Sequence, residues 1–415
     1  MTLAARFRLL TALRWLPTGL VIPVMALLPL QRGMSVAEMG TALAVQGIVV
    51  LCLELPMGAL ADTWGRRPLF VASAVLALAS YGAFAVATTP LVLALAAALS
   101  GVFRALDSGA LNAWFVDEVH SSVAPERRAD AVTRGLGGAS GAVGVSIAGG
   151  SLLSAGLVAW SPGGPGTALV VPFLAASGLV IAQIVAAALL MHEPRRRAAG
   201  AVHAVQAVRD GVRLLAGSRV LRALIAVEIF WGFGMVAFET YMPVRLSELL
   251  GDRDLAAAIL GPVIAAAWGV AALGAAAVPV AVRRWGLVRI SVALRLAQGA
   301  FVIAMGLAWG PVGLLAGFLA TYAVHMAAGV AYEALLHQEV DSAHRATVLS
   351  LASMAMQPAG SIGTVVLGLI AAGASTGLAL VTGGVVLALA APLFLVRARS
   401  RAADGRAATT GPMPG

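Results

Sequence analysis

Ionisable side chains lie inside stretches of this chain that are otherwise hydrocarbon. Arg104 and Asp107 are three residues apart in the apolar run around Phe103, a spacing that lets them pair on one face of a helix. With Ser100, Ser108 and Asn112 they form a polar arc about 140° wide at roughly 100° per residue. Glu228 and Glu239 are eleven residues apart and so nearly superposed on the run around Gly234, with Trp231 and Met235 between them on the same face. His325 and Glu333 share an arc with Tyr322, Gly329 and Tyr332. A charge at the centre of a membrane helix costs on the order of 2.5 to 3.5 kcal/mol on insertion scales, so several kept together point to function. The chemistry they suit is proton exchange, because a carboxylate that its apolar surroundings disfavour and a nearby cation restores can follow a conformational cycle. Asp107 beside Arg104 meets that requirement. Glu239, with no cation on its own helix, is the second choice.

The elements that must position these groups are membrane helices. Of the 415 residues 60% are hydrophobic and 11% charged, more apolar surface than a water-soluble core of this length hides. The apolar runs have the roughly 20-residue length that a spanning helix needs, not the ten-residue alternation of a barrel strand. Twelve such runs are expected, centred near Val21, Val49, Leu76, Phe103, Gly144, Leu179, Gly234, Ala267, Val302, His325, Thr364 and Val386. The net charge of +9 does not indicate nucleic acid, because of where it lies. All 28 basic residues are arginine, and outside the runs only Arg32, Arg245 and Arg253 fall in the other set of loops. The rest crowd the N-terminus, alternate loops and the C-terminal tail, the positive-inside pattern, which places both termini in the cytoplasm and makes the helix number even. Arg14 and Arg295, inside the first and ninth runs, are expected to snorkel to the membrane surface. The first run has no small-residue cleavage site after it and reads as a retained span. Cys52 is the single cysteine, which excludes an intrachain disulfide. The arginine-rich, lysine-free composition suggests a GC-rich bacterial genome.

The longest polar segment, about residues 192–222, divides the chain. Val202, Val205, Val208, Val212 and Leu215 give it the spacing of a helix lying along the cytoplasmic surface. It separates a first bundle, residues 1–191, from a second, residues 223–398, with a cytoplasmic tail over 399–415. The two halves repeat each other. Shifted by 214, the segment Arg8–Arg14 faces Arg222–Glu228; shifted by 221, Trp64 and Gly65 fall on Trp285 and Gly286, Arg104 on His325, Asn112 on Glu333, and Asp117–Ser121 on Gln338–Ser342. The fold class expected is an all-α membrane protein of twelve transmembrane helices in two pseudo-symmetric six-helix bundles.

Between the second and third runs stands GALADTWGRRPLF, Gly58 to Phe70. A tight turn with topogenic arginines accounts for Gly65, Arg66 and Arg67 but not for Asp62, since acidic residues contribute little to topology. Gly58 lets another helix approach closely. The stretch resembles the loop of the major facilitator superfamily, whose pattern of Gly, three residues, Asp, two residues, Gly, Arg, then Arg or Lys is matched by Gly58, Asp62, Gly65, Arg66 and Arg67. The resemblance implies a cytoplasmic latch in which Asp62 faces the segment near Ala346 and Thr347 and Arg66 reaches Asp117. The corresponding loop of the second half has Arg283 where the first has Asp62. Other motifs of that family are degenerate here: Arg104–Ala110 is similar to its proton-transfer motif with a shifted glycine, Gly141–Gly150 has Val145 and Ser146 where its antiporter motif has Gly-Pro, and Leu20–Leu27 has Ala26 where a drug-efflux pattern has proline. Gly138, Ala142, Ser146 and Gly150 recur every four residues on the fifth run, and in the resembled fold such a stripe packs against the other half.

The resemblance implies a secondary transporter of the drug/proton antiporter type in a bacterial cytoplasmic membrane, rocking its halves about a central site lined by helices one, four, seven and ten. The expected substrate is a small, partly apolar organic compound exported against protons, with Trp231, Met235, Tyr322 and Tyr332 giving an adaptable lining. Proton-coupled uptake of a metabolite and a non-transporting membrane sensor are the alternatives. An enzyme is not expected. The histidines at 120, 192, 203, 325, 337 and 344 are scattered, which argues against a metal centre, and no phosphate-binding loop suggests ATP. Expected partners are the substrate, protons and the bilayer, with no cofactor and no nucleic acid, and the chain is expected to be a monomer. Glu54, in ELPMGALAD, serves either as a buried proton site or as part of the latch.

Overall fold

The structure is a computed structural model that describes residues 1–107, 109–160, 166–192, 213, 215–340 and 344–396, with residues 55–63, 345 and 346 described in backbone only. The proposed surface helix around Val202–Val212, the tail over 399–415, Ser108 and the side chains of Gly58 and Asp62 lie outside the described residues.

The described chain is helical almost throughout. The first half runs through α1 (Leu3–Val21), the short α2 (Leu27–Gln31), α3 (Val36–Trp64), α4 (Arg66–Val86), α5 (Pro90–Asp107), α6 (Ala110–Ser122), α7 (Pro125–Trp160) and α8 (Val171–Leu190). The second comprises α9 (Arg219–Val236), α10 (Met242–Leu250), α11 (Arg253–Trp285), α12 (Leu287–Leu307), α13 (Pro311–Glu339), α14 (Arg345–Gly373) and α15 (Thr376–Leu389). Caps sit at the helix ends. Ser35 and Glu38 form a reciprocal capping box at α3, and the Ser218, Asp252 and Ser375 side chains accept the backbone N–H of Leu221, Leu255 and Leu378. Arg32 donates to the carbonyls of Phe84, Ala85 and Ala87, satisfying the last acceptors of α4 where the helix dipole favours a cation. Its partial burial lowers its pKa below the usual guanidinium value.

Among the described residues, eleven helical segments are long and apolar enough to cross a membrane. Their outward faces carry Leu91, Leu152, Leu189, Leu273 and Val312, which are exposed as a lipid-facing surface requires. The chain is therefore a multi-pass integral membrane protein. α1 falls short of those eleven: it is 19 residues long and holds Arg6, Arg8 and Arg14. It nevertheless packs against α7 and α8.

Helices of the first half pack chiefly on one another, as do those of the second. Two extensive seams cross between them, α3 on α14 and α7 on α11. On the first, a Cβ on Gly40 would meet the Thr364 carbonyl at 2.8 Å, and Ser361 donates to the Ala44 carbonyl at 2.8 Å. On the second, Gly261 abuts the carbonyl of Ser151 and the Cβ of Ala155. The small-residue stripe of α7 does not form that seam. A Cβ on Gly150 would meet the Leu16 carbonyl at 2.5 Å and one on Gly138 would touch Arg8, so the stripe docks α1 and the adjoining face, Gly144, Ser151 and Ala155, meets α11. The repeat is visible in the backbone: Gly65 and Gly286, 221 positions apart, both adopt positive φ (92° and 83°) with ψ of 161° and 150°, each linking consecutive spans after a tryptophan.

Candidate functional site

Two membrane segments are irregular where their charges lie. The span Pro90–Ser122 is interrupted at Gly109, which takes φ 77°, and α6 begins at Ala110 without a side-chain cap. The span Arg219–Leu250 passes through a π-helical turn, Ala237–Tyr241, that contains Glu239. Breaks of this kind within a membrane are tolerated where backbone lines a cavity or is buried in protein, and π-turns concentrate at functional positions.

The interruption at Gly109 lies against a cavity of about 520 Å³. Its wall comes from Thr11, Arg14 and Trp15 of α1, Val50 and Glu54 of α3, Arg104, Asp107 and Asn112 around the break, Leu136, Ala139 and Val143 of α7, and Ser353 and Gln357 of α14. Both halves therefore contribute. The cavity begins where the α3–α14 seam stops: Gly40 and Gly47 are packed against Thr364 and Ser361, whereas Val50 and Glu54 face the open space. On the sealed side, Gln31 Nε2 also donates to Asp254 Oδ1 at 2.9 Å, tying α2 to α11 across the halves. The cavity is on the side that carries the chain's N-terminus.

Asp107 pairs with a different arginine from the one the local spacing suggested. Arg14 Nε donates to Asp107 Oδ2 at 2.5 Å, with side chains only 10% and 14% exposed, and Arg14 also donates to Thr18 Oγ1 at 3.1 Å. The Arg14 guanidinium lies 4.9 Å from the ring centroids of both Trp15 and Phe103, over which its charge is favourably placed. Arg14 thus does not snorkel, because a buried carboxylate and two aromatic faces hold it inside. Arg104, three residues before Asp107, points its exposed side chain into the cavity and has no hydrogen-bond or ion-pair partner among the described residues. Asn112 is likewise exposed on this wall. Across the cavity, Ser353 donates to Glu54 Oε2 at 3.3 Å, a link between α14 and α3.

The remaining interior groups form a second cluster in the second half and do not line this cavity. Arg295 is 2% exposed and donates to Gln298 Oε1 at 2.8 Å, and Gln298 Nε2 lies 3.1 Å from His325 Nδ1. Arg295 too is drawn inward instead of snorkelling. Trp231 stacks on His325 with centroids 5.7 Å apart, Phe238 and Tyr322 complete the aromatic surround, and Tyr322 donates its hydroxyl to Glu239. Glu228 and Tyr332 lie within electrostatic range of Arg295, and Glu333 within range of Glu228. Met235, on α9, is partly buried against the main apolar core. The carboxylates and aromatics of α9, the π-turn and α13 thus come together as one network, apart from Arg104, Asp107 and Asn112.

Arg14, Arg295, Gln298 and Glu54's partner Ser353 were missed as members of these clusters. The 214-residue shift pairs Arg14 with Glu228, so equivalent positions of the two halves carry opposite charges, each facing an opposite charge of its own half. That alternation was the sequence signal available for Arg14.

At the helix junction, Arg66 Nε is 3.8 Å from Asp117 Oδ2 and Arg67 donates to the Ala188 carbonyl at 2.8 Å. Asp62 and Ala346, the other predicted side of the latch, lie outside the described side chains. Among the described residues no group of three or more His, Cys, Asp or Glu side chains could hold a metal.

A family model described as Major Facilitator Superfamily matches residues 9–364. Among solved structures, the nucleoside transporter NupG superposes with a TM-score of 0.78 at 13% identity, covering 96% of this chain and 100% of that one. A D-xylose-proton symporter gives 0.74 at 16% identity, covering 95% and 97%. A bacterial homologue of the human lysosomal transporter Spinster, in an inward-facing and unoccupied conformation, gives 0.72 at 17% identity, covering 94% and 95%. No curated protein matches the sequence.

Proposed function

Because the chain belongs to the Major Facilitator Superfamily, we propose that it is a proton-coupled exporter of a small, partly apolar organic compound. α1 joins the eleven apolar segments as a twelfth span, giving two six-helix bundles with both termini in the cytoplasm of a bacterium. In that orientation the cavity faces inward and the Gln31–Asp254 contact closes the outer side. Rocking of the halves about the α3–α14 and α7–α11 seams would exchange the two faces.

The observation that carries this reading is the Arg14–Asp107 pair, a nearly buried charge pair on the wall of a cavity to which both halves contribute. A carboxylate in apolar surroundings is held ionised chiefly by its cation. Any motion of α1 relative to α5 that separates the two would favour proton uptake, and their reunion would favour release. Glu239, held by Tyr322 in the second half, is the alternative carrier.

The test is substrate-dependent proton movement in liposomes that contain the purified protein and a pH-sensitive dye. Export by exchange predicts that an inward-directed proton gradient drives compounds out of the cavity side and that adding such a compound to that side moves protons the opposite way. Proton and compound moving together would establish uptake instead, the reading favoured by the likeness to the D-xylose-proton symporter. If a broad panel of compounds produced no flux of either kind, the transport reading would fail and a sensing role would replace it.

A further inference from the structure

The cavity holds four ionisable side chains, two of each sign: Arg14, Arg104, Asp107 and Glu54. Their hydrogen-bonding needs are unequally met. Asp107 is paired with Arg14, and Glu54 accepts from Ser353. Arg14 is further occupied by Thr18 and by the faces of Trp15 and Phe103. Arg104 alone of the four makes no hydrogen bond or ion-pair contact among the described residues, although Asp107 lies within its electrostatic range, and its side chain is exposed to the cavity. A guanidinium presents five N–H donors in a rigid fork and stays charged, so the unmet capacity of this site is for an acceptor carrying negative charge.

The surroundings of that fork fit an amphipathic molecule. Trp15, Val50, Leu111, Leu136 and Val143 supply apolar wall, and Asn112 places an amide on the same side as Arg104. At about 520 Å³ the cavity has the size of a small-molecule site. A cationic compound would meet Arg104 unfavourably, and the carboxylates that could offset this are already engaged.

We propose that the transported compound is a small organic anion whose carboxylate docks on Arg104 while its apolar body lies against Trp15 and the α7 wall. The proposal rests on the transporter reading of this cavity and narrows its substrate class. It gives Arg104 a binding role and leaves the proton to Asp107. A bidentate carboxylate–guanidinium contact also explains why Arg104 stays unpaired beside an aspartate: Arg14 takes the aspartate and leaves the second arginine available.

The experiment uses matched sets of compounds on butyl, hexyl, phenyl and naphthyl bodies, each as carboxylate, primary amide and primary amine. Affinity for purified wild-type protein, Arg104→Lys and Arg104→Gln is read from thermal stabilisation and quenching of tryptophan fluorescence. Carboxylates are expected to bind the wild type best. Their affinity should fall about 10- to 100-fold in Arg104→Gln, the range for losing a charged hydrogen-bond pair, and less in Arg104→Lys, while amides change little. The proposal is overturned if amines or amides bind the wild type better than the carboxylates, if Arg104→Gln binds carboxylates as wild type does, or if no carboxylate binds. Liposome flux separates this outcome from failure of the parent reading: amines that bind and drive proton exchange would leave the transporter intact and remove the anion, whereas bound carboxylates that drive no flux would do the reverse. Wild-type-like melting of unliganded Arg104→Gln serves as the folding control, expected because Arg104 makes no hydrogen bond or ion-pair contact among the described residues and its attraction to Asp107 is opposed by repulsion from Arg14.

Discussion

Asp107→Asn is expected to abolish proton-coupled flux and to destabilise the protein by about 3 to 5 kcal/mol, the cost of leaving a buried charge without its partner. The stability loss follows from geometry. Arg14 sits in the interior with one carboxylate contact, and after the substitution only Thr18 and two aromatic faces remain to offset its desolvation. Removing both charges should restore much of what removing one loses, because neutral groups of similar size have no unpaired ion between them. Thermal melting of Asp107→Asn, Arg14→Gln and the double variant forms a cycle in which the double variant is expected to melt above either single one. Function should not return with stability, since the double variant has no titrating carboxylate at this position. Recovery of proton exchange in Arg14→Gln/Asp107→Asn would reassign coupling to Glu239, and an unaltered melting temperature in the single variants would mean the pair is not buried as described.

The second large effect is expected at Gly261. A side chain there collides with the carbonyl of Ser151 and the Cβ of Ala155, both across the α7–α11 seam and both on rigid helix backbone. Backbone atoms cannot rotate away as a flexible side chain can, so the helices must part. Overpacking of this kind costs about 1 to 3 kcal/mol in a packed interior, and here the strain falls on the state in which the outer side is sealed. Gly261→Leu should therefore favour the outward-open arrangement and cut flux by roughly tenfold or more, an equilibrium shift of about 1.4 kcal/mol being tenfold. The readout is labelling of Ala44→Cys, a position 4% exposed on the sealed part of the α3–α14 seam, in a Cys52→Ser background, by a charged thiol reagent applied from the outside. Labelling should be slow with Gly261 and fast with Gly261→Leu. Gly82→Leu is the control, as nothing lies within 4 Å of a Cβ at that position. Equal labelling in all three proteins would contradict the assignment of the seam.

Much of the fold was readable because hydrocarbon solvent imposes one solution on a long apolar run. The Gly65 and Gly286 turns, 221 positions apart, show that even the linking geometry was encoded by matched residues. Which face of each helix turns inward was much harder to read. A span such as α8 is apolar on every side, so the amphipathic stripe that orients a soluble helix is missing and only polar residues such as Gln183, 1% exposed, mark the interior. The same blindness misplaced Arg14 and Arg295. Both stand near the middle of their helices, and the sequence does not reveal that Asp107, 93 positions away, holds Arg14, or that Gln298, three residues on, holds Arg295 while itself meeting His325. Spacing rules on one helix made Arg104 the partner of Asp107, but a helix-to-helix contact outcompeted it. The grouping of Glu228, Trp231, Glu239, Tyr322, His325 and Tyr332 was legible as shared arcs. Their separation from the cavity was not, because it depends on how the helices of the two halves pack in three dimensions.

Asn112 of one half and Gln357 of the other line a single chamber on the N-terminal side. Substituted-cysteine labelling tests this arrangement most directly: Asn112→Cys and Gln357→Cys, each with Cys52→Ser, treated in oriented membrane vesicles with a membrane-impermeant anionic thiol reagent. Both positions are predicted to react from the cytoplasmic side, to be protected by a bound carboxylate, and to be joined by a short bifunctional thiol reagent when present together. Reaction only with lipid-soluble reagents, or reaction at one position without protection or cross-linking at the other, would contradict it.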